Sequence, residues 1–321
     1  MSSVNYDTIC MSGGGVKGFA FLSALKYLEE IKHIDLSTIN HFVGTSAGSM
    51  ISFIFSLGYT PTDLIKFILE FNFTKLVPES NIDILLLSHG IDTGDKVMII
   101  MQNFLKEKYN VPDITFEEHY ILTKKKITFI GTNYTKGEEV AFNYELTPKM
   151  SVLTAIRISI SIPIVFTPVL YQDDYYIDGG LVNNFPIKYC NPETTLGLYI
   201  KNCISNKMDN IMTLTMGCLS IITDIISKKD CSDMSKYYIV EIENCNQEAT
   251  NFDIDINKKK KILGLGIKFA KKFIQNFKIK NKNKAECFTQ TDLFFVDNST
   301  QTDETIEDNM KQFKQETIQT N

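Results

Sequence analysis

The sequence predicts a layered α/β fold, and two observations lead to this prediction. Within the first 60 residues, a short apolar strand twice runs into a glycine-rich turn and then into a helical pattern. Further along the chain, strand-like and helix-like segments continue to alternate. This alternation is the pattern of folds in which helices pack on a sheet.

The two strand–turn–helix units begin the chain. The first has a strand at residues 6–11, the turn S-G-G-G-V-K-G at residues 12–18, and a segment at 19–31 whose apolar residues recur mostly at spacings of three and four. The second has a strand at residues 41–43 and the turn G-T-S-A-G-S at residues 44–49, and an apolar helix follows.

The later elements follow in alternation. Helical patterns lie at residues 92–109, 151–163 and 257–277, and strand patterns lie at residues 125–134, 138–144, 173–178, 196–202 and 236–243. After about residue 281 the chain becomes polar and loses its periodicity. We therefore expect one folded domain over residues 1–280 and a disordered acidic tail over residues 281–321.

Charge and cysteine usage limit the functional class. The net charge of -5 argues against a nucleic-acid partner, although residues 258–284 carry eleven lysines and no acidic residue. The lysine-rich helix is expected to be the last helix of the domain, and its lysine face could attract lipid headgroups. The seven cysteines form no C-x-x-C pair, which indicates reduced thiols and an intracellular protein without a metal site.

Ser46 is the candidate nucleophile, because it lies within G-x-S-x-G between a strand and a helix. A tight strand-to-helix turn presents a serine hydroxyl at the mouth of a sheet. Gly44 and Gly48 let the backbone elements on both sides approach closely. The pattern therefore indicates nucleophilic acyl chemistry.

Asp178 is the candidate proton acceptor, in the sequence D-G-G. All four histidines precede it, so the order Ser, Asp, His of an α/β-hydrolase triad is not available. A Ser46–Asp178 pair is the simplest arrangement. A triad of unrelated order, using His89 or His119, remains an alternative.

The oxyanion donors are expected in the first glycine-rich turn. Gly13, Gly14 and Gly15 stand between a strand and a helix start, where several N–H groups point in one direction. Lys17 would reinforce the positive potential or fix the turn. A phosphate loop is disfavoured, because Lys17 is followed by Gly18 and Phe19, so the turn lacks the G-K-[ST] ending of such loops.

The order G-G-G-V-K-G, G-T-S-A-G and D-G-G resembles the patatin-like phospholipase family, and the resemblance extends from about residue 6 to 277. It implies a three-layer α/β/α fold with a central, mostly parallel sheet, and hydrolysis of acyl esters in phospholipids or neutral lipids at a membrane surface, without calcium or another cofactor. Carried over to this sequence, Ser46 is the nucleophile, Asp178 the base, and Gly13, Gly14 and Gly15 the oxyanion hole. The residues that support these motifs are Lys17, Gly18, Gly44, Gly48, Gly179 and Gly180.

The tail carries a second resemblance. Its repeated T-Q-T-D resembles the motif bound by the dynein light chain, which adds such peptides to its own sheet. The residues concerned are Thr289, Gln290, Thr291, Thr300, Gln301 and Thr302. The alternatives are a low-complexity acidic tail without a partner, or a catalytically weak lipid-binding adaptor that acts through this tail.

Overall fold

The structure is a computed structural model, and it describes residues 4–76, 89–201, 211–230, 234–243 and 254–279. The chain divides into two compact units, Met1–Lys271 and Lys272–Asn321. In the second unit the described residues, 272–279, are helical. The tail at residues 281–321 lies outside the described residues, so its disorder and its T-Q-T motifs stay predictions.

The elements of the first unit alternate along the chain. The strands are β1 (Thr8–Met11), β2 (His41–Thr45), β3 (Gly90–Asp92), β4 (Lys126–Asn133), β5 (Glu138–Phe142), β6 (Ile164–Phe166), β7 (Val169–Tyr171), β8 (Asp174–Asp178), β9 (Thr195–Lys201) and β10 (Tyr238–Glu243). The helices are α1 (Phe19–Glu30), α2 (Ala47–Ser56), α3 (Pro61–Glu70), α4 (Asp95–Tyr109), α5 (Phe116–Thr123), α6 (Val152–Ser159), α7 (Gly180–Asn183) and α8 (Ile211–Asp230), and residues 256–271 are also helical.

Among these elements, the main sheet has the strand order β10-β9-β1-β2-β4-β8-β7, with β5 paired to β4. Strands β10, β9, β1, β2 and β4 are mutually parallel, whereas β8, β7 and β5 join by antiparallel pairing. A separate parallel pair joins β3 and β6. The predicted α/β class with a central, mostly parallel sheet flanked by helices is confirmed.

Burial explains why the central strands form where the sequence is apolar. All four residues of β1 and six of the seven residues of β9 are buried, as expected for parallel strands that are covered on both faces. On α1, Phe21, Leu25 and Leu28 are fully buried at helical spacing, so one side of this helix closes the core.

The register of the sheet aligns the motif residues. Met11 of β1 pairs with Gly44 of β2. Two residues further along both segments, Gly13 therefore lies level with Ser46. Thr45 pairs with Ile130, and the next residue of β4, Gly131, pairs with Asp178. Three segments that are distant in the sequence therefore reach the same height at the carboxyl edge of the parallel strands, where α/β proteins place their sites.

None of the helices in the described part of the chain is both long enough and apolar enough to cross a membrane.

Candidate active site

Ser46 occupies a strained turn between β2 and α2. Its backbone has φ 53° and ψ -121°, and the residue is only 6% exposed. A residue with a side chain rarely adopts this conformation, because at positive φ its Cβ crowds the neighbouring backbone. The strain holds the serine where β2 ends and α2 begins, as the sequence predicted for a strand-to-helix turn.

Gly44 and Gly48 make this turn sterically feasible. A Cβ on Gly48 would collide with the main chain at the end of β1 and just after it, where the carbonyl oxygen of Ser12 would lie at 2.8 Å. A Cβ on Gly44 would meet the backbone nitrogen of Ser49 at 2.7 Å. The first turn of α2 therefore packs directly on two strands, and this close approach explains the two glycines of G-x-S-x-G.

Asp178 ends β8 and is 5% exposed. Its Oδ1 accepts a hydrogen bond of 2.6 Å from the N–H of Gly180. Burial raises the pKa of this carboxyl to about 7, against the opposing effects of the Ser46 hydroxyl and the Gly180 N–H. Oδ2 has no partner of ordinary hydrogen-bond geometry among the described residues, so it is available to take up a proton.

The two glycines after Asp178 keep the carboxyl close to β4. A Cβ on Gly179 would lie 2.5 Å from the carbonyl carbon of Ile130, and one on Gly180 would lie 2.9 Å from Oδ1 of Asp178. The D-G-G sequence is thus set by crowding at the end of β8, and Gly180 also supplies an N–H to the carboxylate.

The first glycine-rich turn lies beside Ser46. A Cβ on Gly13 would be 3.3 Å from Cβ of Ser46. The N–H of Gly13 already donates to the main-chain oxygen of Asn184 at 3.0 Å, so it is not the oxyanion donor that was expected here. The lack of a side chain on Gly13 instead leaves space beside Ser46. Gly14 and Gly15 begin a short 3-10 turn, Gly15–Gly18, whose first N–H groups have no acceptor within the turn.

Lys17 and Gly18 support this turn from inside. Lys17 is buried, and its N–H closes the turn on the oxygen of Gly14 at 3.1 Å. A Cβ on Gly18 would sit 3.4 Å from Cβ of Ala47. Lys17 therefore closes the glycine-rich turn, and Gly18 lets it pack against the start of α2.

The sequence predicts only a helical pattern at residues 151–163, and the structure places the end of this segment against both Ser46 and Asp178. The N–H of Ser46 donates to Oγ of Ser159 at 2.9 Å. The N–H of Asp178 donates to the carbonyl oxygen of Ser161 at 2.9 Å. The signal in the sequence was the run I-S-I-S-I-P at residues 158–163, but which groups accept these bonds depends on the fold.

Arg157 anchors the same segment. Its guanidinium is largely buried and donates to the oxygens of Thr93 at 2.7 Å, Ser161 Oγ at 2.5 Å and Thr167 at 2.8 Å. Desolvation lowers the pKa of this guanidinium. Arg157 therefore holds the end of α6 by hydrogen bonds to neutral oxygens.

Asn184 is a second residue that the sequence analysis did not single out. Its Oδ1 lies 3.0 Å from the position of a Cβ on Gly180 and is also the nearest atom to a Cβ on Gly13. The side-chain amide thus stands between the glycine-rich turn and the D-G-G turn. A carboxamide at this place can donate to an oxyanion or to a bound ester.

Neither His119 nor His89 makes a hydrogen bond to Ser46 or Asp178 within the described residues. His119 is fully buried and its Nε2 lies 2.8 Å from Oγ of Ser56. Ser56 is ten residues after Ser46 on α2, so His119 contacts that helix about 15 Å away from the nucleophile turn. Burial lowers the pKa of His119 to about 4. His89 lies on the surface, before β3.

Within the described ranges, no three His, Cys, Asp or Glu side chains gather in a way that could hold a metal ion.

The fold and the site together define a class of protein: α/β proteins with a serine on a strand-to-helix turn, a buried carboxylate after D-G-G and a glycine-rich turn beside both. A family model described as patatin-like phospholipase matches residues 9–190, which is more than half of the chain. The chain belongs to the patatin-like phospholipase family.

Relatives agree with this assignment. A probable lipid hydrolase of Invertebrate iridescent virus 6 is 35% identical over 187 residues, which is 57% of this chain and 62% of that protein. The chain therefore spans less than two thirds of that relative. An uncharacterized protein of Acanthamoeba polyphaga mimivirus is 28% identical over 85% of this chain and 95% of its own length.

Among solved structures, VipD from Legionella pneumophila shares the fold, with a TM-score of 0.63 and 16% sequence identity. The match covers 85% of this chain and 67% of the VipD chain. At this sequence identity the likeness to VipD shows the fold alone.

Proposed function

We propose that the protein is a lipid acyl hydrolase in which Ser46 and Asp178 act as a catalytic dyad. The observation that carries this proposal is the buried carboxyl of Asp178, level with Ser46 across the sheet, with an unpartnered Oδ2 and a pKa raised by burial to about 7. A carboxylate of this pKa is a far better base at neutral pH than an ordinary aspartate.

The reaction begins at the ester carbonyl of the lipid. Oγ of Ser46 forms a bond to the carbonyl carbon, and its proton passes to Oδ2 of Asp178. The negative charge moves to the carbonyl oxygen, where the N–H groups of Gly14 and Gly15 and the amide of Asn184 are the nearest candidate donors. Donors that are already oriented lower the barrier, because no solvent must reorganise during the step.

The intermediate then collapses. The bond to the alcohol breaks, the alcohol takes the proton from Asp178, and an acyl group remains on Ser46. A water molecule attacks this acyl group while Asp178 accepts one of its protons. Release of the fatty acid returns the proton to Oγ of Ser46 and restores both groups.

The position of His119 supports a mechanism without imidazole. Its contact with α2 lies at the far end of that helix, at Ser56. A carboxylate that takes the proton directly requires no third residue. Both phospholipids and neutral lipids remain candidate substrates, because the ester bond is common to both.

Replacement of the two dyad residues tests the proposal. Ser46→Ala and Asp178→Asn should each lower kcat by at least about 10³-fold, because both side chains act in one step. Release of fatty acid from a panel of lipids and covalent labelling by a fluorophosphonate measure this. Ser46→Ala should lose the label completely.

Ser52→Ala is the matched control. Ser52 lies on the same helix, is fully buried, and its Oγ has no partner among the described residues. Loss of this hydroxyl should leave activity and labelling unchanged. If Ser46→Ala released fatty acid as fast as the parent protein, the proposed function would be wrong.

A further inference from the structure

Helix α8 exposes apolar side chains along one face. Leu214 is 43%, Ile221 40% and Ile225 61% exposed, and Cys218 is exposed as well. These positions are spaced by four, three and four residues, so they form one stripe along the helix. Ile222, 46% exposed, lies at its edge. We define these five residues as the α8 face.

Helix α8 lies close to the candidate active site. Helix α8 packs against α7, and α7 begins at Gly180, two residues after Asp178. The strand before α8 in the chain, β9, ends at Lys201 on the carboxyl edge of the sheet. The helix that carries this apolar stripe is therefore at the same end of the sheet as Ser46 and Asp178.

The chemistry of the stripe fits hydrocarbon. Its residues are aliphatic, apart from one cysteine, and the charged residues of the helix sequence, Asp224, Lys228, Lys229 and Asp230, all lie in its last seven positions. It contains none of the Trp, Tyr and Arg side chains that dominate most protein–protein interfaces. An amphipathic helix that binds a membrane surface lies in the plane of the interface, with its apolar side chains reaching about 5–10 Å into the boundary between headgroups and acyl chains.

We propose that the α8 face docks the protein on the surface of a phospholipid bilayer and holds the active site over the lipid esters. This inference rests on the proposed function, since an enzyme that cleaves membrane lipids must reach ester bonds at the level of the headgroups. The stripe is uncharged, so docking depends on burial of apolar area and persists at high salt. Attraction by the lysines of residues 258–271 would instead weaken as salt is added.

The chain contains no tryptophan, which allows a direct test. Ile225→Trp introduces a single fluorophore in the α8 face, and Ile121→Trp introduces one on α5. Ile121 is the matched control, because it is also 61% exposed. It lies shortly before the first residue of β4, at the amino ends of the parallel strands and so opposite the candidate site. With vesicles of phosphatidylcholine, the emission of Ile225→Trp should shift to the blue and that of Ile121→Trp should not.

Charge substitutions give the corresponding loss. The full-length double variant Ile221→Glu, Ile225→Glu should bind these vesicles at least about tenfold more weakly than the parent, because carboxylates replace apolar groups at the lipid boundary. Ile121→Glu should bind like the parent. Hydrolysis of vesicle lipid should fall with binding, whereas turnover of a dissolved short-chain ester should stay unchanged and shows that the double variant is folded.

Several outcomes would overturn the docking proposal. The double variant and the parent could bind vesicles equally well, or Ile121→Glu could lose as much binding as the double variant. Binding by the parent could be lost in salt of roughly 0.5–1 M, where the Debye length falls to a few ångströms. Finally, the parent could be a dimer that becomes monomeric in the double variant while vesicle binding stays unchanged. Failure of the proposed function is separate: Ser46→Ala would then turn over the dissolved ester, while vesicle binding could still depend on the α8 face.

Discussion

At the scale of single residues, the environment of Asp178 decides what the site can do. An aspartate in water has a pKa near 4 and is a poor base for a serine hydroxyl. Burial raises the pKa of Asp178 to about 7, while its Oδ1 keeps one hydrogen bond from Gly180. The pKa of this carboxyl is therefore set by its position at the buried end of β8, which solvent hardly reaches.

The raised pKa predicts a pH profile. For a dissolved ester, kcat/KM should rise about tenfold per pH unit below pH 7 and level off above it, because only the ionised carboxylate accepts the proton. Stopped-time assays across pH 5 to 9 with an ester that does not titrate in this range measure the curve. A profile that levels off near pH 4 would contradict this assignment of the base.

Asn184 and Ser159 extend the site beyond the motifs. Neither is a motif residue in the sequence analysis, yet one lies beside the glycine-rich turn and the other accepts from the N–H of Ser46. Their roles follow from which atoms the fold brings within bonding distance.

At the scale of elements, the end of α6 holds the start of α2. The N–H of Ser46 has a buried acceptor in Ser159, and this bond stabilises a backbone with φ 53°. A buried N–H without an acceptor costs about 1–3 kcal/mol. The contact between the two helices therefore sets the orientation of Ser46.

Replacement of Ser159 tests this positioning. Ser159→Ala should lower kcat by about 10–100-fold with KM changed less than about threefold, since a small displacement of the nucleophile raises the barrier more than it weakens binding. Ser159→Cys, which keeps a weak acceptor, should recover part of kcat. The rate of fluorophosphonate labelling reports the same loss.

A second variant separates positioning from general destabilisation. Ser52→Ala removes another buried hydroxyl from the region of α2 without removing a bond. If Ser159→Ala lost thermal stability but kept kcat, Ser159 would have only a structural role.

At the scale of the whole molecule, the site is held at the expense of stability. The folded pKa of Asp178 lies above that of an unfolded aspartate. The folded state therefore binds more protons than the unfolded state between about pH 4 and pH 7. The favourable contribution of the protonated carboxyl is complete below the unfolded pKa and is lost as pH rises through the folded pKa.

Asp178→Asn should consequently stabilise the protein at neutral and alkaline pH. Its free energy of unfolding should exceed that of the parent by about 2–4 kcal/mol at pH 8, with the difference growing by about 1.4 kcal/mol per pH unit between pH 5 and pH 7. Urea unfolding at several pH values measures this. A variant that is less stable than the parent at pH 8 would show that burial of the charged carboxylate does not destabilise the folded protein.

Much of the architecture was predictable because it depends on short-range patterns. The strands at residues 6–11 and 41–43 and the helices that follow are apolar at the right period, and β1, β2, α1 and α2 form there. The glycines of the motifs were also readable, since close approach of two backbones excludes any side chain. The apolar residues at 214, 218, 221 and 225 have the spacing of a helix. This spacing does not determine whether the stripe faces the core or the solvent.

The sequence by itself determined the fold class, the family resemblance, the turn around Ser46 and the absence of a histidine after Asp178. Only the tertiary structure brought Gly13, Ser46 and Asp178 level at one edge of the sheet, because strand register is fixed by packing between distant segments. It alone decided that Asp178 is buried, that Ser159 accepts from Ser46, and that the α8 face remains exposed. Burial and hydrogen-bond partners are properties of the assembled chain, and no local pattern contains them.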